Sequence, residues 1–125
     1  MSEYVDYLHE VFGQFGSIQP RRMFGGDGIF HKGLMFALVA DDVLYLKSDE
    51  TIVSHFEERE LEQFEYEKNG KGFRMSYYMA PEEIFDDPEI AKVWAARSYA
   101  AAFAQRSRKR SQPISQRKND EPILW

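Results

Sequence analysis

Residues 19–30 read QPRRMFGGDGIF: two arginines, an apolar pair, then three glycines within four positions. Such a run raises the question of phosphate chemistry, because glycine-rich loops let backbone N–H groups approach an oxyanion. The spacing argues against it. A P-loop needs a lysine followed by serine or threonine after its last glycine, and Gly28 is followed by Ile29 and Phe30. A dinucleotide fingerprint needs glycine at its first, third and sixth positions, between a strand and a helix. Gly26 and Gly28 supply two of these, His31 takes the sixth, and a strand-like run follows. Asp27 would also repel a phosphate. Gly25 and Gly26 are therefore expected to form a β-bulge or bend that re-aims one long strand. Arg21 and Arg22 could clamp an anion bidentately, or pair with surface carboxylates. Arg97 is their candidate counterpart, or an amphipathic cover on a helix.

Other chemistries have weaker support. His9, His31 and His55 show neither HxxxH nor HExxH spacing, which leaves no zinc motif. The chain has no cysteine, which excludes thiolate metal sites, disulfides and cysteine nucleophiles. Ser48, Ser54 and Ser76 lack a nucleophile elbow. The carboxylate pairs Asp41–Asp42, Glu82–Glu83 and Asp86–Asp87 fall at turns and helix starts, where capping accounts for them. No catalytic residue, cofactor or metal is assigned. One patch suits nucleic acid: RSRKR, with Arg106, Arg108, Lys109 and Arg110. Clustered cations bind phosphate with salt-dependent affinity. The same charges also suit a helix C-terminus.

These residues must be held by elements. The 125 residues suffice for one domain with its own core. Residues 1–105 hold 10 Lys+Arg against 19 Asp+Glu, and residues 106–125 hold 6 against 2. The expected organisation is an acidic globular body, 1–105, and a basic, flexible tail, 106–125. No apolar run approaches the ~20 residues of a membrane span, and the acidic amphipathic start is unlike a secretory signal. A soluble cytoplasmic protein without membrane contact is expected.

Tyr4, Leu8, Val11, Phe12 and Phe15 form a helical stripe. LMFALVA, residues 34–40, is apolar on both alternate sets and reads as a central strand. VLYLKS follows across Asp41-Asp42. Ser48 or Asp49 can cap a short helix through Phe56. QFEYEK and FRMSYYM alternate as strands around Asn69-Gly70, which suits a type I′ turn. Asp87, Pro88 and Glu89 open the last helix, with Ile90, Val93, Trp94, Ala101 and Ala104 expected on one face. The order α-β-β-β-α-β-β-α implies an α+β two-layer sandwich with a mostly antiparallel, five-stranded sheet. The aromatic strands could stack bases, but the order is not that of an RNA-recognition sheet. Core packing and a partner-binding face fit better.

Two stretches carry a family resemblance: RRMFGGDGIFHKGLMFALVADDVLYLKSD and GFRMSYYMAPEEIFDDPEIAKVWAARSYAAA. Met23, Phe24, Gly25, Gly26, Gly28, Tyr77, Tyr78, Pro81 and Trp94 are among its markers. The chain resembles the TfoX/Sxy N-terminal domain family of bacterial competence regulators, over residues 4–104. The resemblance implies the α+β fold and a non-enzymatic role in transcriptional regulation, since full-length members act with the cyclic-AMP receptor protein. Those members carry a C-terminal helical domain, and a basic tail in its place is the expectation here. A protein partner is expected, either transcription machinery or a second copy. Nucleic-acid binding by the tail is the alternative, and a small anion-binding protein or enzyme using Arg21, Arg22 and Arg97 is a third.

Overall fold

In a computed structural model, residues 3–23 and 25–111 are described. The helix α1, Glu3–Val11, buries Val5, Leu8 and Val11. Gln19–Met23 (β1), Gly26–His31 (β2), Leu34–Ala40 (β3) and Val43–Lys47 (β4) follow as an antiparallel meander. A short helix α2, Val53–Glu57, leads to β5, Gln63–Lys68, and β6, Lys71–Met79. A 3-10 turn, Glu82–Phe85, precedes the long helix α3, Pro88–Ser111. The strands form one sheet in the order β1-β2-β3-β4-β6-β5.

Turn chemistry explains the meander. Lys32-Gly33, Asp41-Asp42 and Asn69-Gly70 all have positive φ at both positions. That pattern matches the right-handed twist of flanking strands. At α2, the Asp49 carboxylate accepts from the N–H groups of Thr51 and Ile52, at 2.9 and 3.2 Å. At α3, Asp87 Oδ1 accepts from Glu89 N–H at 2.9 Å, as its place before Pro88 implies.

The sheet and the end of the last helix differ from expectation. The sheet has six strands, because the glycine run reverses the chain rather than bending it. Met23 pairs with Gly26 and Gln19 with Phe30, so β1 and β2 form a hairpin. The bulge lies elsewhere: Ile29 pairs with Ala37 and Phe30 with Met35, which leaves Phe36 as the extra residue of β3. The last helix also runs past residue 105, to Ser111. Residues 112–125 lie outside the described residues.

The bulge sorts the apolar run of β3 between two cores. Phe36, Ala37 and Val39 join α1, α2 and α3 in the larger core with Leu8, Phe12, Phe56 and Trp94. Met35 and Leu38 join Phe64 and Tyr77 on the other side, where no helix residue contributes. All helices thus cover one face, which makes the two-layer arrangement. On α3 the inward residues are Ala91, Trp94, Ala95, Ser98, Ala101 and Ala102, and small side chains allow close approach to the sheet. Val93, expected on that face, is instead 48% exposed. It lies two residues from both Ala91 and Ala95 in the inward 91-95-98-102 spacing, so the 3.6-residue period rotates it outward.

Candidate functional site

The sheet face without helices is the candidate site. Strand parity assembles it. Leu38 and Tyr45 are register partners across β3 and β4, and Lys47 and Tyr77 across β4 and β6. Around buried Met35, Leu38, Phe64 and Tyr77 lie half-buried Met23, Phe30, Tyr45, Tyr66 and Met75. The rings of Tyr45 and Phe64 pack 4.9 Å apart. Beyond them, on the projecting β5–β6 hairpin, Phe73 is exposed. Methionine thioethers between aromatic rings make an apolar surface that adapts to an incoming side chain.

Two cations are set into this face. Arg21 places its guanidinium 4.8 Å from the Phe30 ring centroid. Lys47 is buried, its Nζ lies 5.2 Å from the Tyr77 ring, and it donates to Ser76 Oγ at 2.5 Å. Cation–π contact of this kind steadies a charge beside an apolar surface. Burial pushes the Tyr77 phenol well above its ordinary range. Burial also raises the Tyr45 phenol, helped by the nearby Glu62 and Asp41 carboxylates. Both phenols therefore stay neutral hydrogen-bonding groups at physiological pH.

The glycine run supports this face instead of forming a pocket. A Cβ on Gly28 would meet the Met23 and Met35 sulfurs at 3.0 and 3.1 Å, so the missing side chain makes room for both thioethers. A Cβ on Gly26 would fall 2.2 Å from the Val39 carbonyl oxygen. Asp27 Oδ1 is buried and has no hydrogen-bond partner among the described residues. An anion placed against that carboxylate would be repelled. Phe24 lies outside the described residues.

The three candidate anion-binding arginines are not gathered in one cleft. Arg21 and Arg22 lie exposed on edge strand β1, with Arg22 in register opposite Asp27. Arg97 lies on α3, its guanidinium 5.1 Å from the Trp94 ring. It lines a cleft of about 560 Å³ between α2, the 3-10 turn and α3, with His55, Arg59, Glu83 and Asp87. There Arg59 pairs with Glu83. The Glu83 carboxyl lies below its usual range, held there first by a hydrogen bond from its own backbone and then by Arg59.

The remaining marker residues are packed. Tyr78 stacks on Phe56 at 5.1 Å in the helix-side core, whereas Tyr77 fills the opposite core. Pro81 is fully buried. The double-tyrosine strand is thus part of two cores and not an exposed aromatic platform. His31 donates from Nδ1 to the Ser17 carbonyl at 2.7 Å, between Phe15 and Tyr99. Arg106 lies over Phe103 at 5.3 Å, and Arg108 is exposed. Lys109 and Arg110 are on α3, but their side chains lie outside the described residues. Sequence reasoning missed Lys47, Phe30 and Met35 as surface-forming residues. The face of Met35 depends on the Phe36 bulge, which has no local signal, whereas Lys47 is placed by the pairing of β4 with β6.

Residues 10–102 match the TfoX N-terminal domain family, and the chain belongs to it. Within that class it is similar to the DNA transformation protein TfoX1 of Aliivibrio fischeri, with 33% identity over 78 residues. The match covers 59% of this chain and 37% of that relative, so the chain spans well under half of the longer protein.

Proposed function

We propose that this domain is a non-enzymatic regulatory module of the cytoplasm that acts by protein contact, in the control of genes for DNA transformation. Membership of the TfoX N-terminal domain family carries this reading. The similarity to a DNA transformation protein supports DNA transformation as the process. The helix-free sheet face supports contact as the mode of action. It is apolar, rich in methionine and aromatic side chains, and bears Arg21 at its border. Interfaces are enriched in those residue types. The sheet edges are less suited to pairing: β1 carries Pro20, Arg21 and Arg22, and β5 carries Glu65, Glu67 and Lys68.

Co-expression tests it. In A. fischeri producing TfoX1, this chain should compete for a shared partner and lower transformation frequency, or supplement TfoX1 and raise it. The variant Tyr66→Ala with Phe73→Ala, on the half-buried and exposed part of the face, should abolish either effect while the far-ultraviolet dichroism stays unchanged. Unaltered transformation with the wild-type chain, or an effect that survives in the folded variant, would overturn the reading.

A further inference from the structure

Only one side of the 24-residue helix α3 meets the sheet. On its outer side Val93 and Phe103 stand 48% and 49% exposed, with exposed Ala96 and Ala100 between them. The steps 93, 96, 100, 103 are three, four and three, the spacing of a coiled-coil seam. Neighbouring elements fall away on both sides of its first half. Clefts of about 560 and 540 Å³ flank it, and both are lined by Glu89, Val93 and Arg97. The seam is therefore a ridge between two grooves, which a second helix can straddle.

We propose that this ridge is a homodimer interface, in which α3 of two copies packs antiparallel about a two-fold axis at the level of Ser98. The inference rests on α3 alone and is independent of the sheet-face reading above. Antiparallel pairing about residue 98 sets Val93 against the partner's Phe103 and Ala96 against the partner's Ala100. Both large residues then lie at the rims, and four alanines meet at the centre, where helices can approach closely. Charge selects the same orientation. The helix start is acidic, with Asp86, Asp87 and Glu89, and its end reads RSRKR. Antiparallel packing sets Glu89 opposite the partner's residues 106–108, whereas parallel packing would set acid on acid and base on base. The helix dipoles also oppose favourably only in the antiparallel pair. A two-fold contact is self-complementary and closes, so it stops at two copies.

Sedimentation of the full chain between ~1 and ~100 μM tests the assembly, because a seam of this length fits the affinity of a small interface. A concentration-dependent dimer, weakened by salt, is expected. Glu89→Arg and Arg106→Glu should each raise the dissociation constant by ~10-fold or more, and the double variant should return to within ~3-fold of wild type. Orientation is read by cross-linking. The chain lacks cysteine, and Ala96 and Ala100 are exposed. An oxidised mixture of Ala96→Cys and Ala100→Cys chains should form mixed disulfides. Each variant alone should not, since like positions sit about 6 Å apart along the axis, out of disulfide reach. A monomer at ~100 μM, or efficient cross-linking within either single variant, would overturn the proposal. So would a ridge that instead binds an acidic helix or a nucleic acid as a monomer.

Discussion

Replacing Gly26 by alanine should be the most damaging single change in the glycine run, and the structure sets the scale. The new Cβ would lie 2.2 Å from the Val39 carbonyl oxygen and 3.4 Å from its carbon. The obstacle is backbone, so no rotamer change relieves it. An ordinary contact needs β2 to move from β3 by about 1 Å, against a ladder spacing of ~4.8 Å. The β2–β3 pairing next to this point is Asp27 with Val39. Losing about two ladder hydrogen bonds together with local packing costs roughly 2–4 kcal/mol. Gly25→Ala meets nothing within 4 Å but must keep φ at +80°, at about 1 kcal/mol. Gly28→Ala meets only the ends of flexible methionines and the Phe30 ring, at about 1 kcal/mol. Equilibrium urea unfolding followed by tryptophan fluorescence reads all three. The Gly26→Ala midpoint should fall by ~1–2 M, taking a slope near 2 kcal/mol per M, and the others by half of that or less. A Gly26→Ala loss below ~0.5 kcal/mol, or a greater loss in Gly25→Ala, would refute the close-approach argument.

Alkaline pH should expose Tyr77. Burial holds its folded pKa above the ordinary 10.0, so its stabilisation is complete below about pH 10 and declines as pH rises beyond that. The decline approaches ~1.4 kcal/mol per pH unit. Tyr77→Phe should flatten the fall of the urea midpoint between pH 9.5 and 11.5, and an unchanged slope would contradict it. Asp87→Ala should cost about 1 kcal/mol by leaving the Glu89 and Ile90 N–H groups without their cap, whereas Asp87→Asn should cost little. Thermal unfolding of the pair tests the difference.

Much of the fold could be read locally. Asn69-Gly70 announced its hairpin because positive φ at both positions is a property of those two residues and their turn. Asp87-Pro88 announced α3 for the same reason, since a cap acts within one turn. The α+β class followed from counting such signals. The glycine run was read as a bulge or bend of one long strand, and the structure makes it the reversal between β1 and β2. A bend and a reversal use the same residues, and what separates them is whether β1 finds a partner in β2.

Residue type and spacing by themselves established the two-layer class, the hairpin turns, the acidic body and the absence of a phosphate-loop pattern, because each depends on contacts within a few residues. Tertiary structure alone decided which face each apolar residue serves. The Phe36 bulge shifts the parity of β3 and sends Met35 and Leu38 to the face without helices. The docking angle of α3 turns Val93 and Phe103 outward and Ala91 and Ala95 inward. Burial is a relation between distant segments. The sheet face proposed for a partner, and the ridge proposed for a second copy, therefore became visible only when the strands and helices were set against one another.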